Sequence, residues 1–367
     1  MGMILQVILE EATKHTPREA GFRMPAEWVA HEATWIAWPH NPSDWPGRFQ
    51  PIAWVYAEIV RALARVETVH ILVNDEASEK RAKGVLRRAG ANLAQVLFHG
   101  WPTNRVWTRD SGPIFLRDDK GQLAITDWRF NGWAKYDDWQ LDDALPAKVA
   151  DLLHLPEWQP EFDGKRVVLE GGSIDTNGAG VLLTTEECLL SDVQARNPSL
   201  GREQLEQVFH DYLGIDQVIW LGRGIAGDDT HGHVDDITRF VDENTIVTVV
   251  EPNTADENHE PLAENLDRLR AARNQQGGAF QIVTLPCPAP VVFEGQRLPA
   301  SYANFYIANG LVLVPTFNDP NDRVALNTLA EMFPAHTVHG IHCGDFIWGL
   351  GALHCMTQGQ PAGNKGT

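Results

Sequence analysis

Tyr302-Ala-Asn-Phe-Tyr-Ile-Ala-Asn-Gly-Leu-Val-Leu-Val-Pro315 reads as two apolar strands, Tyr302–Ala308 and Gly310–Pro315, joined at Asn309-Gly310. An Asn-Gly pair between apolar runs signals a hairpin, because both residues tolerate the positive φ of a tight two-residue turn. A stretch of helical periodicity, Asn321–Phe333, follows shortly after. The same order recurs upstream. Hairpin-type links stand at Asp118-Asp-Lys-Gly121, Asn177-Gly178 and Asp242-Glu-Asn244, and each is followed by a helical stretch: Asp143–Leu153, Gly201–Leu213 and Pro261–Gln276. A doubly wound parallel sheet would contain few such hairpins. The unit is hairpin, helix, strand, repeated about five times, although the letters of the units are too dissimilar to mark a repeat by themselves.

The remaining strand-like runs are Ala33–Trp38, Thr68–Val73, Gln95–Phe98, Gly112–Leu116, Gln122–Trp128, Arg166–Leu169, Gly180–Thr184, Gln217–Leu221, Ile237–Val241, Thr245–Val250 and Gln281–Leu285. Two more helices are expected at Pro51–Ala64 and Ser78–Ala89, the first opening on a proline where a first-turn proline is welcome. No low-complexity segment or long linker interrupts the 367 residues, so one α/β domain is expected over 1–367, with flexible ends at 1–20 and 360–367.

The formal net charge of −19 argues against nucleic acid, which needs a basic footprint, and favours a small cationic partner. Four cysteines without a CxxC pair give neither a disulfide framework nor a zinc ribbon and favour a reducing compartment. The apolar run Met3–Leu9 meets Glu10 and Glu11 at once and lacks the basic start of a signal peptide. No run approaches the ~20 apolar residues of a membrane span, so the expected compartment is the cytoplasm, with a homodimer as the candidate assembly.

Four stretches carry chemistry: Trp107-Thr-Arg-Asp-Ser-Gly-Pro113, Leu169-Glu-Gly-Gly172, His231-Gly-His-Val-Asp-Asp236 and Gly349-Leu-Gly-Ala-Leu-His-Cys355. Together they offer a thiol, a histidine and several carboxylates. That set suits attack on a guanidinium carbon, whose charge calls for anionic partners. A buried cysteine is usually inert filler, but Cys355 stands among Gly349, Gly351 and His354 with a polar run behind it. His233 reads either as a general base or, with His231 and Asp235 on one strand face, as a metal ligand of a hydrolase. Asp110 before Ser-Gly-Pro and Glu170 before two glycines are each also ordinary turn-formers or strand ends. Cys343 reads as a core residue. A binding module without catalysis is the third class these letters allow. No GxGxxG, GxxxxGK[ST] or GxSxG occurs, which removes dinucleotide, P-loop and serine-hydrolase readings.

These motifs, in this order, resemble the agmatine deiminase family, grouped with bacterial-type peptidylarginine deiminases. The resemblance includes Ala33-Thr-Trp-Ile-Ala-Trp-Pro39, Leu182-Leu-Thr-Thr-Glu-Glu-Cys-Leu189, Arg196-Asn-Pro198, Tyr302-Ala-Asn-Phe-Tyr306 and His354-Cys-Met-Thr-Gln358. It implies a five-bladed α/β propeller with pseudo-fivefold ββαβ modules. It implies hydrolysis of agmatine to N-carbamoylputrescine and ammonia, with arginine or peptidyl-arginine as the alternative substrate. An amidinotransferase would share the mechanism with an amine acceptor in place of water. The resemblance places the catalytic set at Cys355, His233 and Glu170 and the guanidinium carboxylates at Asp110 and Asp235. No metal or organic cofactor is implied. For the far end of the substrate the expected wall is Trp107, Trp38 and Asp44, with Trp35 and Trp133. One departure stands out: the family's Gly-Gly-Asn-Ile-His reads Gly351-Ala-Leu-His354 here, and Ala352 cannot supply an amide side chain.

Overall fold

The hairpin at Asn309-Gly310 is present in the computed structural model, which describes residues 15–364. Tyr306–Ala308 runs antiparallel to Leu311–Thr316, the helix Pro320–Met332 follows, and Thr337–His342 returns parallel to Leu311–Thr316. Three more sheets share this plan. One holds Thr238–Phe240, Thr245–Val250, the helix His259–Ala271 and Gln281–Pro286. Another holds Asp175–Thr176, Val181–Thr185, the helix Arg202–Leu213 and Gln217–Leu221. The next has Ile114–Asp118, Leu123–Thr126, the helix Leu145–Leu153 and Glu157–Trp158, with Phe22–Arg23 added on the Ile114–Asp118 edge.

A fifth sheet draws on both ends of the chain. Gln358–Pro361 lies antiparallel to His31–Ala37, which pairs in parallel with Thr68–Leu72 after the helix Phe49–Leu63. The helix Glu76–Arg88 and the strand Val96–His99 complete it. The fold is a mixed α/β single domain.

Local chemistry explains the elements. Asp319 caps the helix Pro320–Met332 by accepting from the Asn321 N–H at 2.8 Å, and Pro320 fills a first-turn position where its missing donor costs nothing. In the helix Phe49–Leu63, Ile52, Tyr56, Ile59, Val60 and Leu63 recur on one face and are buried. Each large side chain buried this way contributes about 1.5–3 kcal/mol.

Several expectations need correction. The tail expected to be flexible from 360 begins inside a strand: Gln360 accepts from the Trp35 indole at 2.9 Å, and the Asn364 N–H reaches the Gly121 carbonyl at 2.8 Å. Residues 15–20 are likewise held, with the His15 carbonyl accepting from the Trp158 indole at 2.8 Å. The rest of both stretches, 1–14 and 365–367, lies outside the described residues. The strand expected over Tyr302–Ala308 starts only at Tyr306, because residues 301–305 turn inward. The run Arg166–Leu169 is a strand only at Lys165–Arg166, and Val168 bridges to Arg129 instead.

One feature of this plan positions the site. Two small two-stranded pairs apart, a short turn or helical segment leads into the first strand of each of these five larger sheets. These are Thr108–Ser111, Gly171–Ser173, Val234–Asp236 and the stretches 301–305 and 353–356. The candidate residues Asp110, Glu170, His233, Asp235 and Cys355 all lie in or beside them.

Candidate active site

Those five segments meet face to face, and glycine lets them do so. A Cβ on Gly172 would come within 2.7 Å of both the Asp110 carboxylate and the His233 ring. A Cβ on Gly351 would sit 2.8 Å from the Trp107 ring. The turn glycines therefore permit close approach of backbone to functional side chains.

Cys355 lies at the bottom of a cleft of about 500 Å³ lined by Asp44, Arg105, Trp107, Asp110, Trp133, Tyr136 and Asp229, among others. Its Sγ accepts from Asn304 Nδ2 at 3.0 Å and stands 3.7 Å from Asp235 Oδ2. Burial pushes the thiol well above its ordinary pKa, and Asp235, Asp236 and Asp110 push the same way. The Ala352 backbone N–H opposes them. The residue that departs from the family's pattern thus touches the sulfur through its main chain. Its side chain packs with Leu298 and Ile347.

His233 is fully buried between two carboxylates: Nδ1 is 3.7 Å from Asp110 Oδ1 and Nε2 is 3.6 Å from Glu170 Oε2. Both separations are ion-pair contacts too long for hydrogen bonds. Burial alone would lower its pKa, but Asp110, the Cys188 sulfur and Glu170 overcome that and hold it well above the ordinary value. The two carboxylates thus favour the protonated ring. Glu170 shows the reverse outcome. Burial raises it, yet Arg196, 3.0 Å away, and His233 bring it down to about 2.

Asp110 and Asp235 are held in different ways. Asp110 accepts from the Trp133 indole at 2.9 Å and from the Gly172 N–H at 3.1 Å. Its pKa still rises to about 6, because burial outweighs His233 and neighbouring Asp235 and Glu170 add to it. Asp235 keeps Oδ2 on His354 Nδ1 at 2.7 Å, while Oδ1 is buried without a partner among the described residues. Its pKa is lowered, since His354, His233 and Arg239 outweigh burial.

The cleft wall is part aromatic and part ionic. Arg105 donates to Asp44 at 2.7 Å and to Asp138 at 2.9 Å, and its guanidinium lies 4.1 Å from the Tyr136 ring centre. Tyr136 donates to Asp229 at 2.7 Å, and Lys135 pairs with the same carboxylate. Asp44 is raised to about 7 by burial, with Arg105 opposing, and its Oδ2 has no hydrogen-bond partner among the described residues.

Of the expected wall, Trp107, Trp133 and Asp44 line the cleft. Trp38 does not: it packs edge-on to Tyr56 in the core, 5.9 Å between ring centres. Trp35 stacks on His70 at 4.0 Å and is also core. The metal triad does not converge either. His231 turns to Ser191 at 3.2 Å, and the groupings of ligand atoms that form around His233 and Asp235 leave it out. Cys343 is a buried core residue, as expected. Sequence reading assigned nothing to Asn304, His354, Glu27, Arg196, Arg105 or Asp229. Asn304 stood inside a quoted motif, and its place before a strand, like that of Cys355, was the signal available.

The chain matches the model of the Porphyromonas-type peptidyl-arginine deiminase family over residues 23–361. It is 35% identical to an agmatine deiminase of Stutzerimonas stutzeri over 95% of this chain and 97% of that one. An agmatine deiminase of Enterococcus faecalis superposes with a TM-score of 0.87 at 30% identity, covering 95% and 98% of the two chains. One from C. jejuni, solved with substrate bound, gives 0.82 at 31% identity, covering 93% and 97%. The protein is a member of the Porphyromonas-type peptidyl-arginine deiminase family, and its curated relatives include agmatine deiminases.

Proposed function

We propose that the protein hydrolyses agmatine to N-carbamoylputrescine and ammonia, with Cys355 as nucleophile. The observation that carries this reading is the buried Cys355 thiol, which shares one cleft with Asp110 and stands 3.7 Å from Asp235, with His233 3.7 Å from Asp110 behind. The guanidinium would lie between the Asp110 and Asp235 carboxylates, whose charge-assisted hydrogen bonds fix its plane over the sulfur. At rest the surrounding carboxylates keep the proton on the thiol. An arriving cation offsets them, and the proton leaves to solvent through the cleft.

Thiolate attack on the guanidinium carbon forms the C–S bond and a tetrahedral centre. His233, in the protonated form its carboxylates favour, gives its proton to one nitrogen; the C–N bond breaks and ammonia departs. The neutral imidazole then takes a proton from water, whose oxygen attacks the same carbon of the amidino-thioether. Collapse breaks the C–S bond while the hydroxyl proton leaves to solvent, where it protonates the departed ammonia, and the ureido product and the thiolate are released. Glu170, tied to Arg196, keeps the ring oriented through both steps.

Agmatine fits the wall better than arginine. Asp44 offers a free oxygen to a terminal ammonium. Arg105, the cation among the named lining residues, is paired with Asp44 and Asp138, so its charge is already largely compensated before an α-carboxylate could arrive. Five ββαβ sheets, with Gln358–Pro361 completing the one begun by His31–Ala37, support a five-bladed propeller closed around this site. The low cysteine count and acidic charge support a cytoplasmic home, and no helix among the described residues is long and apolar enough to cross a membrane. A homodimer stays part of this proposal.

The test is ammonia and ureido product from agmatine and from arginine, for wild type and Cys355→Ala. Agmatine turnover that vanishes with the thiol supports the reading. Turnover of arginine alone overturns the substrate, and activity surviving Cys355→Ala overturns the mechanism.

A further inference from the structure

Behind the thiol lies a second layer of charge that the mechanism above does not use. His354, the residue before Cys355, is buried and spans two carboxylates: Nδ1 to Asp235 Oδ2 at 2.7 Å and Nε2 to Glu27 Oε2 at 2.8 Å. Glu27 reaches in from the loop between Phe22–Arg23 and His31–Ala37 and gathers three more partners. Arg109 donates at 2.8 Å and the Ile307 N–H at 2.9 Å, while Arg239 makes a third contact, an ion pair at 3.1 Å. Burial would favour the acid, but Arg239, His354 and Arg109 hold Glu27 well below the usual carboxylate range. An ionised carboxylate only accepts hydrogen bonds, and each ring nitrogen of His354 stands at donating distance from one.

We propose that His354, held by Glu27, is a positioning residue that prepares Asp235 for the guanidinium. It occupies Oδ2 and so leaves the buried, unpartnered Oδ1 as the one oxygen turned over to a ligand. Its hydrogen bond also stabilises the Asp235 carboxylate beside the thiol. Without it, an unclamped carboxylate 3.7 Å from the sulfur would rotate and oppose thiolate formation. The adjacency of His354 and Cys355 in the chain links the two effects: successive residues face opposite sides of one turn, sulfur toward the cleft and imidazole toward Glu27. Arg109 and Asp110 repeat the arrangement, since Arg109 lines the cavity behind, with Glu27 and His354, while Asp110 lines the cleft.

This inference rests on the guanidinium reading of the cleft, and the test separates the two. The thiol is alkylated with 2-chloroacetamidine, a cation shaped like the reacting end of the substrate, and with neutral iodoacetamide. The ratio of the two second-order rate constants measures recognition of the cation without requiring turnover. Wild type is expected to prefer the cation strongly. His354→Gln, which keeps one donor, is expected to lose about tenfold of that ratio, the scale of one charge-assisted hydrogen bond. Its KM for agmatine should rise by a similar factor, with a smaller fall in kcat. His354→Leu should lose more than His354→Gln, and Glu27→Gln should follow His354→Gln. Circular dichroism checks that each variant is folded. A ratio unchanged in folded His354→Gln and His354→Leu would overturn the proposal. Absence of cation preference in the wild type would instead sink the guanidinium reading itself.

Discussion

Asp110 shows how a single side chain can set a pH limit. It must be ionised to hold a cation, and burial has lifted its pKa to about 6. The group is charged above that value, so kcat/KM for agmatine should fall as pH drops through about 6, measured on initial rates across the acid limb. The Trp133 indole favours the charged form by donating to Oδ2. Trp133→Phe should therefore move the limb to higher pH and lower kcat/KM near neutrality by roughly tenfold, the effect of one hydrogen bond to a charged group. A limb that stays in place would show that another group controls it. His233 titrates in the opposite sense, since its proton is needed and its pKa is held high.

At the scale of elements, the pairing of Gln358–Pro361 with His31–Ala37 is the most exposed to a single change. Gln360→Ala would orphan the buried Trp35 indole N–H and should cost about 1–3 kcal/mol, read as a lower denaturant midpoint. An unchanged midpoint would mean that the strand is held by its backbone pairing alone. This strand also marks where sequence reading stops. Gln217–Leu221 and Thr245–Val250 were legible residue for residue because β-branched and apolar runs end sharply at turn residues. Gln358-Gly-Gln-Pro361 has none of those signals and becomes a strand only because a partner more than 300 residues away offers its edge. Thr337–His342 was hidden for a related reason: glycine and two histidines interrupt its apolar pattern, and its strand state depends on Leu311–Thr316. The site divides the same way. Cys355, His233, Asp110, Glu170 and Asp235 stand in motifs flanked by turn glycines and could be picked out as candidates. Glu27 carries no local mark and Arg196 stood in a quoted motif without a role; the relevance of both lies in distances that only folding creates. Trp38 misled because an aromatic beside a turn looks the same whether it faces a cleft or Tyr56.

For the whole molecule, two sets of buried acids pull stability in opposite directions with pH. Asp44, at about 7, and Asp142, at about 8, are raised chiefly by burial. Between the ordinary carboxylate value and these, the folded protein holds protons that the unfolded chain has released, so stability falls as pH rises across that interval. Glu27, Asp235 and Glu170 are depressed by their cationic partners. Their contribution is present above the ordinary value and is lost as pH falls through their folded pKa. Thermal unfolding should therefore be most resistant just above the ordinary carboxylate value, at about pH 4–5, and weaken toward pH 8, where the net charge of −19 adds self-repulsion. Asp142→Asn should flatten the alkaline decline; an equally steep decline would remove Asp142 as its source.

The thiol stands three residues before a strand whose partner belongs to the opposite end of the chain. Catalytic competence is thus a late event in the life of each molecule. Until the last sheet is completed, its nucleophile has no neighbours: Asn304, Asp235 and the Ala352 amide are not yet assembled around it. A half-folded copy carries an ordinary cysteine and cannot consume substrate. Recovery of turnover after dilution from denaturant would accordingly trail the recovery of helical signal, with enzymatic activity acting as the clock for the final closure.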